Sequence, residues 1–185
     1  MKIALGLTYQ GTLFCGWQSQ SDKSGVQDIL EAAIAQIAQH EIRVHAAGRT
    51  DTGVHALGQV VHFNTEVERP LSAWVRGVNA HLPPTVRVQW AHQVADDFHA
   101  RFSARSRSYQ YLLYNAPVAS AIMSSQAGWY HLPLNLAVMQ EAMSYLVGEH
   151  DFSAFRAAQC QAKSPIRIIT KAEVHQMGQY FIEQP

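Results

Sequence analysis

The sequence is poor in the chemistry that staples, anchors or powers many small proteins. Its two cysteines, Cys15 and Cys160, lie far apart and form no C-x-x-C motif. That excludes a disulfide framework and a four-cysteine zinc site, and sets a reducing, cytoplasmic compartment as the expectation. No apolar run approaches the roughly 18 residues of a membrane-spanning helix, so no membrane partner is expected. The apolar start is interrupted early by Thr8, Tyr9 and Gln10, with no small-residue cleavage site after it, and does not read as a signal peptide. A G-x-x-x-x-G-K-[ST] loop is missing, which argues against nucleotide hydrolysis. The ten histidines are scattered from His40 to His175, without H-E-x-x-H or a Cys/His cluster, so no metal site is expected and most read as surface or packing residues. Lysine is scarce, four against ten arginines, a bias toward fork-shaped, directed hydrogen bonding. Basic and acidic residues balance at 14 each, so long-range steering is weak, although a local basic patch remains compatible with nucleic acid.

What is present is the composition of a folded chain. At 185 residues and 48% apolar, it fits one domain or two small ones with a core that needs no staple. Ile3, Leu5, Leu7 and Tyr9 alternate on one face of a strand. Ser24 and Gln27 suggest a capping box ahead of a helical stripe of Val26, Ile29, Leu30, Ala33, Ile34 and Ile37. Extended segments follow at residues 44–48 and 58–63, then a helix at 71–79 with Leu71, Trp74, Val75 and Val78 on one face. Pro83-Pro84 stops that helix, and Val86, Val88 and Trp90 alternate as a strand. Residues 1–95 thus read β-α-β-β-α-β, a ferredoxin-like half. Residues 96–185 read as a second, incomplete half. A strand at 107–114, on which Tyr109 and Tyr111 share a face, precedes a helix carrying Leu136, Met139, Met143, Leu146 and Val147, ended by Gly148. A hairpin of 166–175 and 180–182 turns at Met177-Gly178-Gln179. The expected fold is α+β, two such halves around a mainly antiparallel sheet, with the second half stopping after β-α-β-β at an uncovered edge, as a truncated domain would.

Two segments concentrate reactive side chains. In Gly48-Arg49-Thr50-Asp51-Thr52-Gly53-Val54-His55 two glycines flank a polar loop between strands, a setting that brings backbone close to a ligand. A guanidinium at Arg49 is expected to hold Asp51 as a carboxylate, ready as nucleophile or base; the structural alternative is a tight turn closed by Asp51 and Thr52 on their own backbone. Asp51-Thr52-Gly53 also matches the tripeptide of aspartic proteases, but those need two carboxylates sharing a proton, and one copy is present here. The second segment, Phe98-His99-Ala100-Arg101-Phe102 through Arg105, Arg107, Tyr109 and Tyr111, alternates arginine with aromatics and carries no acidic residue. It suits a surface that follows phosphates and stacks bases, or else a strand with a charged outer face. Trp17 and Trp74 read as packing anchors.

Gly48-Arg49-Thr50-Asp51-x-Gly53-Val54-His55-Ala56, with Gly58-Gln59-Val60 and His62-Phe63, resembles the tRNA pseudouridine synthase A family. The likeness extends to Gly16-Trp17-Gln18, Val26-Gln27, Asn79, Leu82-Pro83, Phe98 to Phe102 and Arg107-x-Tyr109-x-Tyr111, nearly the whole chain in order. The resemblance implies isomerisation of uridine to pseudouridine at positions 38, 39 and 40 of the tRNA anticodon stem-loop, without cofactor or metal. It assigns Asp51 as the catalytic aspartate, Tyr109 as the residue packed on the target base, and Arg49 as the base-flipping arginine. It places tRNA contacts at Phe98, His99, Ala100, Arg101 and Phe102, and again at Gln159, Cys160, Gln161, Ala162 and Lys163. Family members are homodimers, which lets a composite groove be basic although each chain is neutral. They also continue into a Met-Val-Arg segment whose arginine pairs with the aspartate. This sequence stops before it, so an incomplete pocket and strongly reduced or absent turnover are expected, and an RNA-binding module without catalysis is the alternative reading.

Overall fold

A computed structural model describes residues 1–156 and 164–178. The chain divides into two units, Met1–Tyr109 and Gln110–Pro185. It mixes α and β structure, and its main sheet is antiparallel.

The first unit contains β1 (Lys2–Tyr9), α1 (Val26–Ala38), β2 (His45–Ala46), β3 (Ala56–Asn64), α2 (Val78–His81) and β4 (Val86–Val94). The strand order is β2-β3-β1-β4, with every neighbouring pair antiparallel. Alternation decides the faces. Ile3, Leu5, Leu7 and Tyr9 on β1, Val61 and Phe63 on β3, and Val86 and Val88 on β4 are all buried in one core with Leu30 and Ile34 of α1 and Trp74 and Val78. Each fully buried aliphatic or aromatic side chain contributes roughly 1.5–3 kcal/mol over its exposed state. Trp17 and Trp74 are anchors of this core, as their sequence context suggests.

Helix α1 begins one residue later than the Ser24 signal implies. Gly25 is the N-cap, and its N–H donates to Asp28 Oδ2 at 3.2 Å. The Ser24 hydroxyl is spent on Asp22 at 2.6 Å. Asp28 wins because it is nearly buried and also accepts from Ser19 Oγ (2.6 Å) and Gln20 N (3.3 Å), so it closes both the helix start and the loop before it. Residues 71–81 are helical, with a π-helical turn at Ala73–Gly77 ahead of α2. Trp74 and Val78 face inward, whereas Leu71 is exposed.

The second unit contains β5 (Leu113–Asn115), β6 (Gly128–Tyr130), α3 (Leu136–Ser144), β7 (Gly148–Asp151) and β8 (Ile166–Ile169). Strands β5 and β6 pair in parallel, and β7 and β8 antiparallel. Several expectations are corrected here. The strand expected at 107–114 is confined to β5, because Arg107-Ser108-Tyr109-Gln110 offers no apolar alternate face to bury. Tyr109 and Tyr111 are accordingly 82% and 80% exposed. Strands β6 and β7 have no counterpart in the sequence reading, being too short to show a period. Gly148 does not cap α3; Tyr145 does, and Gly148, at φ +117°, opens β7. The strand from Ile166 stops at Ile169 and pairs with β7. Its expected hairpin partner at 180–182 lies outside the described residues. No described residue of this unit is buried. Among the described residues no helix is long and apolar enough to cross a membrane, and no group of His, Cys, Asp or Glu is placed to hold a metal ion.

Candidate active site

The connection from β2 to β3 carries Asp51, and the surrounding residues clamp it. Gln59 sits on the inward phase of β3 with Val61 and Phe63, where an apolar residue is the rule. Its side-chain amide instead grips Gly48 from both ends: Nε2 donates to Gly48 O at 2.6 Å and Oε1 accepts Gly48 N–H at 3.4 Å. The Thr50 carbonyl accepts Trp17 N–H at 2.9 Å, and Asp51 O accepts Val54 N–H at 3.1 Å, closing a turn. The Thr50 hydroxyl lies 2.8 Å from the Tyr9 phenol, at the end of β1. Gln59 Nε2 also donates to Tyr9 Oη at 3.5 Å, so the phenol oxygen is shared between Gln59 and Thr50 Oγ1. Burial pushes the Tyr9 phenol above its ordinary value, against the pull of the Thr50 and Gln59 hydrogen bonds; it remains a donor at neutral pH.

Two glycines allow the neighbouring chain to come this close. Gly16 has φ +86°, and a Cβ there would stand 2.8 Å from Thr50 O. A Cβ on Gly11 would stand 2.0 Å from Val54 O. The loop is therefore pinned at residues 48, 50 and 54 around Asp51. The Asp51 side chain itself is exposed and accepts no hydrogen bond or ion pair among the described residues. The expected Arg49–Asp51 pair does not form: Arg49 is exposed too, and no ion pair joins the two. The turn is instead closed through backbone, so neither charge is consumed by the other.

The stretch toward Tyr109 reaches the same loop. Arg107 Nη2 donates to Ala47 O at 2.7 Å, tying residues 103–109 beside the start of the Asp51 connection. Tyr109 follows two residues later with its ring free to solvent.

Residues 98–103 dock on the sheet face opposite the core. Ala4, His62 and His92 are cross-strand neighbours on that face, and His45 stands opposite His62 on β2. The His45 and His62 rings stack at 5.1 Å. The His99 ring lies 4.6 Å from His62, and Phe102 lies 4.4 Å from His99. Ala100 N–H donates to His62 Nδ1 at 3.1 Å, and Lys2 Nζ donates to the Phe98 carbonyl at 2.8 Å and to that of Asp96. His62 is 3% exposed. Burial first, then the neighbouring His99, His45 and Lys2, lower its pKa from 6.5 to about 4, so the ring stays neutral and Nδ1 stays an acceptor. Ala100 is buried in this seat, while Arg101 and Phe102 project outward with the guanidinium 5.7 Å from the Phe102 ring. Gln159, Cys160, Gln161, Ala162 and Lys163 lie outside the described residues. A groove of about 560 Å³, lined by Met1, His40, Asn64, Thr65, Glu66, Val67 and Asp96, sits at the other end of β1 and β3 from Asp51 and takes no part in this arrangement.

Sequence reasoning placed Asp51 and residues 98–102 but missed Tyr9, Thr50, Gln59, Arg107 and His62 as their supports. Gln59 left a signal, a polar amide in the apolar phase of a strand. Tyr9 left a weaker one, a phenol closing an otherwise aliphatic alternation. The His45–His62–His99 group left none, since it depends on strand register.

Residues 7–103 and 142–183 match the family model described as tRNA pseudouridine synthase. The matched segments contain the whole Asp51 loop and residues 98–102. The chain belongs to the tRNA pseudouridine synthase family. Among its relatives, the tRNA pseudouridine synthase A of Methylobacillus flagellatus is 61% identical over 182 residues, which are 98% of this chain and 70% of the relative. That of Dechloromonas aromatica is 58% identical over 182 residues, with the same shares. That of Burkholderia mallei is 54% identical over 180 residues, 97% of this chain and 67% of the relative.

Proposed function

We propose that this chain converts uridine to pseudouridine in tRNA, with Asp51 as the catalytic carboxylate. The reaction is an isomerisation: the N1–C1′ bond breaks, the uracil turns, C5 joins C1′, N1 ends protonated and C5 gives up its hydrogen. Atoms balance without a co-reactant, so no cofactor enters. One observation carries the reading: an exposed carboxylate with no partner among the described residues stands on a loop pinned on both sides of it. A side chain in that state can meet a reacting atom without first breaking its own bonds, and without paying the cost of ordering its backbone.

Tyr109, exposed and tethered through Arg107, is the platform for the target base. Arg49, free of Asp51, is the group that enters the stack as the uridine leaves it. Arg101 and Phe102 offer a cation and an aromatic face to RNA, with Phe98, His99 and Ala100 forming their seat; residues Gln159 to Lys163 make a second contact. The substrate region is the anticodon stem-loop at positions 38, 39 and 40. The assembly is a homodimer, and it works in the cytoplasm. The element and strand order of residues 1–95 support a ferredoxin-like half; residues 96–185 form the partial second half. The test follows C5: tritium released from tRNA carrying [5-³H]uridine at positions 38–40, abolished by Asp51→Ala with tRNA binding kept. Peptide cleavage without RNA, or equal tritium release by the variant, would overturn the assignment.

A further inference from the structure

We infer that Tyr9, Thr50 and Gln59 form a buried polar clamp that positions the Asp51 carboxylate for turnover, and that none of the three touches substrate. The inference rests on Asp51 being the catalytic group. It begins from the cost of the arrangement. Tyr9 and Gln59 are 4% and 8% exposed, and burying polar groups in a core is favourable only if their hydrogen bonds are made. Here they are made to one another and to the loop. The Gln59 amide serves both backbone groups of Gly48 and donates to the Tyr9 oxygen, and the Tyr9 and Thr50 hydroxyls share a hydrogen bond. The chain of bonds runs from amide to phenol to hydroxyl and ends on the residue immediately before Asp51.

Phenylalanine, leucine or valine at these positions would fill the same core without desolvating anything. The polar atoms add little to packing. What they add is a fixed position for Gly48 and Thr50, and therefore for the backbone that launches the Asp51 side chain. A displacement of about 1 Å at a reacting group costs up to roughly a hundredfold in rate, so loosening this clamp should appear in kcat. It should leave tRNA affinity alone, because residues 98–102 are anchored separately through His62 and Lys2.

Three variants test this in the chain: Tyr9→Phe and Thr50→Val, which remove one hydroxyl each, and Thr50→Ser, which keeps it. The expected result for the first two is a fall in kcat of roughly tenfold or more, with KM for tRNA within about twofold of the parent. Amide exchange across residues 48–54 should rise, and Thr50→Ser should restore most of the loss. Parent-like kcat in both Tyr9→Phe and Thr50→Val would overturn the inference, as would loop exchange no faster than the parent's. Loss of kcat in Thr50→Ser equal to that in Thr50→Val would also overturn it, since the hydroxyl would then be irrelevant. Asp51→Ala, run alongside, separates the two levels: if it too turns over normally, the assignment of Asp51 has failed.

Discussion

Acid should loosen the seat of residues 98–102 through one buried imidazole. His62 accepts Ala100 N–H through Nδ1 and is surrounded by His45 from β2, His99 from the docked segment and Lys2 from β1. Protonation would turn the acceptor into a donor facing another donor, with cationic or ionisable neighbours on three sides. In the unfolded chain this histidine titrates near 6.5, and in the folded chain near 4. The folded state therefore binds fewer protons between these values. Stability from this group is complete above pH 6.5 and is lost as the pH falls toward 4. The shift corresponds to roughly 3 kcal/mol in total, of which about 2 kcal/mol is gone by pH 5. For a unit of this size that is a drop in Tm of about 8–16 °C. The assay is urea or thermal unfolding from pH 7.5 to 4.5 for the parent and for His62→Gln, whose amide can accept the same N–H without titrating. The parent should lose about 2 kcal/mol more than the variant between pH 7 and 5. Parallel curves for the two proteins would refute the reasoning.

Gly16→Ala places a methyl group on a backbone at φ +86° and 2.8 Å from Thr50 O; it should cost about 1–3 kcal/mol, with tritium release falling more than tRNA binding does. Arg107→Ala removes the bond to Ala47 O and should lower turnover by roughly tenfold while hydrogen exchange rises in residues 103–109. A parent-like rate would show that Tyr109 needs no tether.

The first unit was legible where hydrophobic period and packing agree. Ile3, Leu5, Leu7 and Tyr9 alternate and are all buried, and the stripe of α1 faces them. The helix start was misread by one residue because several oxygens compete for the same donors, and only the folded loop shows Asp28 collecting two N–H groups and the Ser19 hydroxyl. In the second unit α3 and the start of β8 were legible, and β5 only as the end of a longer expected strand. Its strands are three or four residues long, below the length at which alternation can be seen, and Tyr109 and Tyr111 are exposed because β-propensity has no force without a buried face. At the site, the motif named Asp51 but suggested the wrong neighbour. Arg49, two residues from Asp51 in sequence, forms no ion pair with it, whereas Tyr9 and Gln59, named in sequence only as a strand residue and a motif residue, hold the loop. Side-chain pairing across a turn depends on backbone direction, which spacing does not encode.

The most direct measurement is single-turnover tritium release from [5-³H]uridine tRNA by the parent and by Asp51→Ala, with tRNA affinity measured on the same preparations. A loss of at least about 1,000-fold in rate, at an affinity within a few-fold of the parent, is the predicted outcome. Release by the alanine variant at a rate comparable to the parent would contradict the account, because the pinned loop would then be holding a carboxylate that the chemistry does not use.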